Sequence, residues 1–537
     1  MRPWDAAYPP ECRWDVPIRT GTLPGFLDDV AARFSALPAL EYRGHVLRYA
    51  ELRDWSDRIA AGLMARGIGR GDCVALYLPN TPWHPLCFFA VLRTGARVVH
   101  LSALDAKREI GHKARDAGAT CVITTGFGSL VANAQWLRET GAVRDVFLAP
   151  EARWGGEDVA NDFLPLPDAD LPDAWPAIGV EDIALLQYTG GTTGTPKGAM
   201  LTHGNLTATV ACYKAWRDAT SLPEGTARVL VALPLFHIFA LTAVLLRQFS
   251  EGALCHLRVR FDAAAWADDV ERLRITTFPG VPTMWIGILN LPGIETRDLS
   301  SLRQLSSGGA PMPHEVQQKL EAVLGQRIGG GWGMTETGPA GTRLPPHAPR
   351  RAGLIGLPLP GVDARIVALD DPRRVLPPGE VGEMAVRGPN VFVGYWGRDN
   401  ADTFIDGWFL TGDNGWMDEQ GYFTLVDRRK NMILSGGFNV YPAQIEQAIY
   451  EHPAVAECIV IGVPDDYRGQ AAKAFCALKP GAAPFTLEEL RAFLGDRLGK
   501  HELPAALELR ESLPRSAAGK LMAATLRDEE AARVTRP

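Results

Sequence analysis

The sequence predicts an α/β chain: a large N-terminal domain of helix-covered sheets, a β subdomain in its last part, and a small α+β C-terminal domain. Three observations point there. From about residue 23 to 123, amphipathic helix-like segments alternate with short strand-like runs, and the rhythm returns between Ala227 and Ser306. Strands alternating with helices imply sheets covered by helices. Between Gly353 and Gly394 the chain turns to Gly- and Pro-punctuated β sequence. A compact unit of about 110 residues then begins near Asp427, enough for an independent domain.

In chain order, 49–66 and 82–93 read as helices from their helical spacing of apolar residues, and 73–78, 97–101 and 120–124 as short strands. Further strands are expected at 182–189, 227–232, 275–279 and 304–306. Residues 238–246 are the longest apolar stretch; they stop at Arg247. That is about half the ~20 residues a membrane span requires, so a core helix is expected. The β-rich part offers strands at 362–369 and 382–387. The last unit reads as a helix at 443–450 with Pro442 in its first turn, strands at 456–462 and 472–478, a helix at 487–498 and a charged terminal helix. The boundaries are 1–427, with the β-rich part at about 350–426, and 428–537.

With 537 residues, 46% hydrophobic and 22% charged, the chain can bury several cores and is neither disordered nor fibrous. A net charge of −7 and the lack of a basic stripe argue against a nucleic-acid partner. The eight cysteines include no C-x-x-C pair, which argues against a zinc ribbon and for buried, reduced thiols. Trp4, Asp5 and prolines stand where a signal peptide needs an apolar run, so a cytoplasmic protein is expected, with no transmembrane segment.

The expected buried strand ending at Thr189 runs into Gly190, Gly191, Thr192, Thr193, Gly194, Thr195, Pro196, Lys197 and Gly198. Strand followed by glycine loop is the layout of a phosphate site. Glycines let backbone N–H groups approach phosphate oxygens, the threonines add hydroxyl donors, and Lys197 adds a mobile positive charge. Pro196 before the lysine and Gly198 after it break the Walker A pattern, which disfavours a P-loop NTPase.

This loop, with Met200, Leu201, Thr202, His203, Gly204 and Asn205 after it, resembles the signature of the adenylate-forming superfamily. That superfamily holds acyl-CoA synthetases, aryl-CoA ligases, luciferases and peptide-synthetase adenylation domains. Within it the chain most resembles bacterial medium- and long-chain fatty-acyl-CoA ligases. Four more blocks follow in the family's order, and the resemblance covers essentially the whole chain. Gly331, Trp332, Gly333, Met334, Thr335, Glu336 and Thr337 resemble its second core motif, which implies Trp332 on adenine, Thr335 at the α-phosphate and Glu336 on Mg²⁺. Gly309, Ala310 and Pro311 are placed with these nucleotide contacts. Leu410, Thr411, Gly412 and Asp413 resemble the motif whose aspartate accepts from both ribose hydroxyls. Without the family, Gly-Asp reads as an Asx turn. Asp427 and Arg428 resemble a hinge and a ribose contact, and Gly436 and Gly437 a thioester-forming face that lets a pantetheine arm approach closely. Leu513, Pro514, Arg515, Ser516, Ala517, Ala518, Gly519 and Lys520 resemble the segment supplying the adenylation lysine, Lys520.

The resemblance implies ATP, Mg²⁺ and CoA as cofactors and a carboxylic acid as substrate. The acid is ionised at pH 7, with a pKa of ~4 to 5, and needs no general base to attack the α-phosphate. Thr193, Lys197, Lys520 and Glu336 would meet the developing charge, and a mobile C-terminal domain would then exchange the lysine face for the Gly436 and Gly437 face. A non-catalytic acyl-nucleotide sensor is disfavoured, because Lys197, Glu336, Asp413 and Lys520 are all present.

Leu233, Pro234, Leu235, Phe236, His237, Ile238, Phe239, Ala240 and Leu241 resemble the acyl-pocket motif of fatty-acyl- and aryl-CoA ligases. Amino-acid-activating relatives place an aspartate in this region for the substrate ammonium. Here His237 stands between apolar residues, so that cation would be buried unpaired. His237 is therefore a candidate lining or gating residue, though in isolation it reads as a core histidine. Small residues at 306–311 and 329–331 predict an open channel for a straight alkyl chain. A medium- or long-chain fatty acid is expected. A dicarboxylate stays open through Arg247, Arg258 or Arg260, as does an aryl acid. After Lys520 the chain reads Leu-Met-Ala-Ala-Thr-Leu where fatty-acyl relatives often carry basic residues, so an acyl-AMP ligase serving a carrier-protein thiol also stays open. An apolar substrate is compatible with peripheral membrane contact, without a lipidation motif or polybasic segment to support it.

Overall fold

The computed structural model describes residues 2–158, 163–189, 196–428, 431–435, 438–465, 469–495, 497–499, 502–516 and 521–534. Two seven-stranded sheets build the large N-terminal part. Across the first lie Ile328–Gly329, Gln304–Ser307, Thr277–Gly280, Arg228–Val231, Leu254–Leu257, Pro38–Tyr42 and His45–Arg48. Across the second lie Leu164–Pro165, Asp145–Ala149, Cys121–Thr125, Cys73–Leu76, Arg97–His100, Ile183–Thr189 and Lys197–Thr202. Each sheet is parallel except for one antiparallel edge strand, His45–Arg48 in the first and Lys197–Thr202 in the second. The central strands Cys73–Leu76 and Cys121–Thr125 are buried at every residue, the mark of a parallel sheet covered on both faces.

Helix Trp83–Arg93 is likewise buried all round and packs between its own sheet and helices Leu23–Phe34 and Tyr49–Ala65. Its last residue ties the three helices together. Arg93 donates through both terminal nitrogens to Asp28 at 2.6 and 2.8 Å, and through Nε to Asp57 at 2.9 Å. Such a forked pair fixes orientation as well as adding energy.

A third, antiparallel sheet runs Thr342–Arg343, Leu354–Pro358, Phe423–Arg428, Trp408–Met417, Gly382–Arg387 and Asp363–Val367, with Phe404–Ile405 paired on Trp408–Met417. The N-terminal segment straps across it, a feature the sequence did not predict. Trp14 donates its indole N–H to the Val362 carbonyl at 2.6 Å, and Trp4 is buried against Gly421, whose φ of +83° and crowded Cβ position both require glycine.

The smaller C-terminal part pairs Phe438–Val440, Ile433–Ser435, Gly469–Leu478 and Val455–Asp465 antiparallel, with Ala506–Arg510 added parallel to Gly469–Leu478. Helices Pro442–Tyr450, Leu487–Leu494 and Ala523–Val534 accompany it. The second of these ends four residues earlier than the spacing suggests, because Gly495 follows as its cap and weakens continuation. Residues 239–246 form the expected buried helix, wound as a π-helix that continues into Arg247–Ser250. All eight cysteines are buried and unpaired. Among the described residues no helix is long and apolar enough to cross a membrane.

Candidate active site

Strand Ile183–Thr189 descends into the glycine loop and strand Lys197–Thr202 returns antiparallel, with Thr189 opposite Lys197 and Tyr188 opposite Gly198. The loop's Gly190, Gly191, Thr192, Thr193, Gly194 and Thr195 lie outside the described residues, as do Gly436, Gly437 and Lys520. Pro196 and Lys197 close its return side, both half-buried.

The return strand recruits a distant segment. The Met200 N–H donates to the Gly394 carbonyl, the Val393 N–H to the Met200 carbonyl, and the Trp396 N–H to the Gly198 carbonyl, so 393–396 lies along the strand. This puts the Tyr395 ring 5.2 Å from Lys197 Nζ and lets its hydroxyl donate to Glu336 Oε1 at 2.7 Å. Glu336 is 4% exposed in the short turn Thr335–Thr337, whose position is fixed by the Phe392 N–H donating to the Glu336 carbonyl. Burial and then the Glu336 charge push the Tyr395 phenol well above its ordinary pKa, so it stays a donor. Lys197 and Glu336, predicted from two separate motifs, thus meet through a tyrosine that the sequence reading missed. No signal local to Tyr395 marks it.

Trp332 and Asp413 also converge. The indole N–H donates to Asp413 Oδ2 at 2.7 Å, across 81 positions in sequence, and both residues are buried. Asp413 sits opposite Arg428 in the antiparallel register, so the two expected ribose contacts occupy neighbouring strands. Gly331 and Gly333 flank the tryptophan because a Cβ at either would run into the Thr342 or Pro339 carbonyl oxygen. Met334 is held by the Thr337 hydroxyl, which accepts from its N–H at 3.1 Å; Thr335 is half-buried beside it.

His237 lies with Gly309 on a small cavity of about 10 Å³, roughly one water in size. Leu233, Phe239, Ala240 and Val281 also line it, and the Phe239 N–H donates to His237 Nδ1 at 3.2 Å. Ala310 and Pro311 continue from Gly309, half-buried and exposed. The expected open channel is corrected here. A Cβ on Gly308 would lie 2.8 Å from the Phe239 ring, and one on Gly331 would strike backbone, so these two glycines admit neighbours, and only Gly309 of the run faces the small cavity described. Arg258 is corrected too: its guanidinium is committed to Asp269 at 2.7 and 3.0 Å and to Glu41 at 3.2 Å, so it is not positioned to receive a second substrate carboxylate.

Glu336 is a buried carboxylate, a hard oxygen donor that suits Mg²⁺ carried by phosphate oxygens, while the Lys197 ammonium would pair with those phosphates and not with the metal. The two sheets, the loop between antiparallel strands and the Trp332 with Asp413 corner describe the class of adenylate-forming enzymes. Residues 27–396 match the AMP-binding enzyme family and residues 444–520 the AMP-binding enzyme C-terminal domain. A long-chain-fatty-acid–CoA ligase of Bacillus subtilis is 36% identical, covering 99% of this chain and 98% of its own. A feruloyl-CoA synthase of an Amycolatopsis species is 39% identical over 91% of this chain and 95% of its own. Among solved structures, o-succinylbenzoate CoA synthetase of Bacillus subtilis, in complex with its acyl-adenylate intermediate, superposes with a TM-score of 0.80 at 30% identity, over 95% of this chain and 99% of its own. The chain belongs to the AMP-binding enzyme family and is an AMP-forming acyl-CoA synthetase, using ATP, Mg²⁺ and CoA to convert a carboxylic acid through acyl-AMP to its thioester.

Proposed function

We propose that the acid is a medium- or long-chain fatty acid. The reading is carried by the 36% identity to the long-chain-fatty-acid–CoA ligase over nearly the whole chain, and it agrees with the apolar side chains beside His237, which offer no partner to a second charge; at about 10 Å³ the cavity would have to open to admit a tail. An aryl acid is the second reading, favoured by the 39% identity to the feruloyl-CoA synthase. A pyrophosphate-release assay with Mg²⁺-ATP decides, using fatty acids from hexanoate to palmitate, ferulate and malonate, each with and without CoA. Sustained CoA-dependent turnover greatest on the longer fatty acids is expected. A preference for ferulate would overturn the fatty-acid reading.

In this reading the acid's carboxylate oxygen attacks the α-phosphorus, the bond to the β-phosphate bridging oxygen breaks, and pyrophosphate leaves. Thr189, Thr193, Lys197 and Lys520, with the loop N–H groups, stabilise the charge that builds on the phosphates, and Thr335 orients the α-phosphate. When bound at Glu336, Mg²⁺ neutralises triphosphate charge. Trp332 stacks on adenine, Asp413 and Arg428 hold the ribose, and Gly309, Ala310 and Pro311 line the nucleotide. Residues 428–537 then turn about Asp427 relative to 1–427, bringing Gly436 and Gly437 to the acyl-AMP. The CoA thiol loses its proton to solvent, the thiolate sulfur attacks the acyl carbon, the bond between that carbon and the α-phosphate oxygen breaks, and AMP departs. We place the enzyme in the cytoplasm, with peripheral contact to a membrane where an apolar acid is met.

Asp413→Asn tests the ribose assignment. A hydrogen bond to a charged group contributes about 1.5 to 3 kcal/mol, so the KM for ATP should rise roughly 10- to 100-fold. The KM for the acid should stay put. Steady-state kinetics in both substrates reads the difference, and an equal rise in both constants would contradict the assignment.

A further inference from the structure

We propose that Asn80 and Gln187 are positioning residues that clamp the acid-binding loop onto the sheet carrying the nucleotide loop. The inference rests on the acid lying at His237, as in the reading above. The 233–237 loop leaves strand Arg228–Val231 of the first sheet. Asn80 follows strand Cys73–Leu76 of the second sheet, and Gln187 lies in Ile183–Thr189 of that sheet, two residues before Thr189.

Both amides reach across. Asn80 Nδ2 donates to the Leu233 carbonyl at 2.8 Å while its Oδ1 accepts from the Leu235 N–H at 2.8 Å, so one side chain holds the loop by both a donor and an acceptor. Gln187 Nε2 donates to the Phe236 carbonyl at 3.0 Å, immediately before His237. The carbonyl can only accept, which turns Gln187 Oε1 toward His100 Nδ1 at 3.1 Å and makes that nitrogen the donor. Burial lowers the His100 pKa to about 4, so the neutral ring keeps this arrangement at physiological pH. Both amides are more than nine-tenths buried, where a polar side chain is retained only if its partners are supplied. Their partners are the loop's own backbone.

The chemistry gives this clamp a particular signature. In-line attack requires the carboxylate oxygen within ~3.5 Å of phosphorus, and a displacement of ~1 Å can lower the rate ~100-fold. Once acyl-AMP exists, the alignment of acid and phosphate is a covalent bond and no longer depends on the clamp. Loss of either amide should therefore impair adenylation far more than thioester formation.

The test uses full-length enzyme carrying Gln187→Met, Gln187→Glu, Asn80→Ala, and Gln187→Met with Asn80→Ala. Gln187→Met removes the N–H donor to Phe236 without adding a charge, whereas Gln187→Glu keeps an acceptor for His100 and, when burial holds it protonated, an O–H that can still donate to Phe236, so it should retain more adenylation than Gln187→Met. Acid-dependent pyrophosphate exchange reads adenylation, and supplied acyl-AMP with CoA reads the second step. Adenylation should fall roughly 10- to 100-fold in each single variant while the second step changes by less than about threefold. The double variant should be little worse than the poorer single, because both amides hold one loop. Equal losses in the two steps, or losses that multiply in the double variant, would overturn the proposal. Should Asn80→Ala not fold, the asymmetry in Gln187→Met decides. Failure of the fatty-acid reading would show separately, as wild-type enzyme that does not turn over those acids.

Discussion

Lys520→Ala is expected to abolish acyl-AMP formation while leaving conversion of supplied acyl-AMP to thioester close to wild type. The first step builds negative charge between the α-phosphate and departing pyrophosphate, and removing one preorganised donor there commonly costs 10²- to 10³-fold; an ammonium should cost at least that. The second step has no such demand. Its nucleophile is a thiol of ordinary pKa ~8.5, and its leaving group is AMP, already bound by other residues. The segment bearing the lysine is fixed at both ends to the C-terminal part. Arg515 bridges Leu521, the Met522 N–H donates to the Pro514 carbonyl at 2.8 Å, and Leu513 and Leu526 are buried with Ile459, Ile461 and Phe475. A rotation of that part would carry the lysine with it, which is why one residue should serve a single half-reaction. Measuring both half-reactions on the variant is decisive: equal loss would sink the idea of two alternating faces.

Much of the fold was legible because short strand-like runs alternate with helices of clear period. Cys73–Leu76, Arg97–His100 and Gln304–Ser307 fall where the pattern places them, within a residue or two. Sheet order was not legible, since nothing local says that Pro38–Tyr42 pairs with Leu254–Leu257. The site divides the same way. Lys197, Trp332, Glu336 and Asp413 sit in motifs dense in glycine and hydroxyl groups, and local density makes them visible. Tyr395, Asn80 and Gln187 are single residues of ordinary type whose partners lie 59, 153 and 49 positions away. Gln187 alone carried a hint: an amide inside an otherwise apolar strand needs a buried partner. The open channel expected at the small residues failed for a related reason, because composition does not reveal that the Phe239 ring stands against Gly308.

Glu336→Gln should lower adenylation by about 10²- to 10³-fold, comparable to losing a charge-stabilising group at a phosphoryl site. The replacement is nearly isosteric, and Tyr395 can still donate to the amide oxygen in place of Oε1, so the melting temperature should move little. What disappears is the negative charge, and with it the group assigned to Mg²⁺. Half-maximal activity should then require more Mg²⁺. Tyr395→Phe separates charge from orientation. It leaves the carboxylate intact and removes a 2.7 Å hydrogen bond to a charged acceptor, about 1.5 to 3 kcal/mol, so a smaller loss of roughly 10- to 100-fold is expected. The phenyl ring would still stand beside Lys197 Nζ, 5.2 Å from its centroid, so the lysine's placement should survive. Titrating Mg²⁺ against the acid-dependent exchange rate in both variants distinguishes the two roles. If Glu336→Gln kept the wild-type Mg²⁺ requirement, the carboxylate would be a partner for Tyr395 and nothing more. If Tyr395→Phe shifted that requirement as far as Glu336→Gln does, the phenol's hold on Oε1 would be what keeps the carboxylate in the geometry the metal needs.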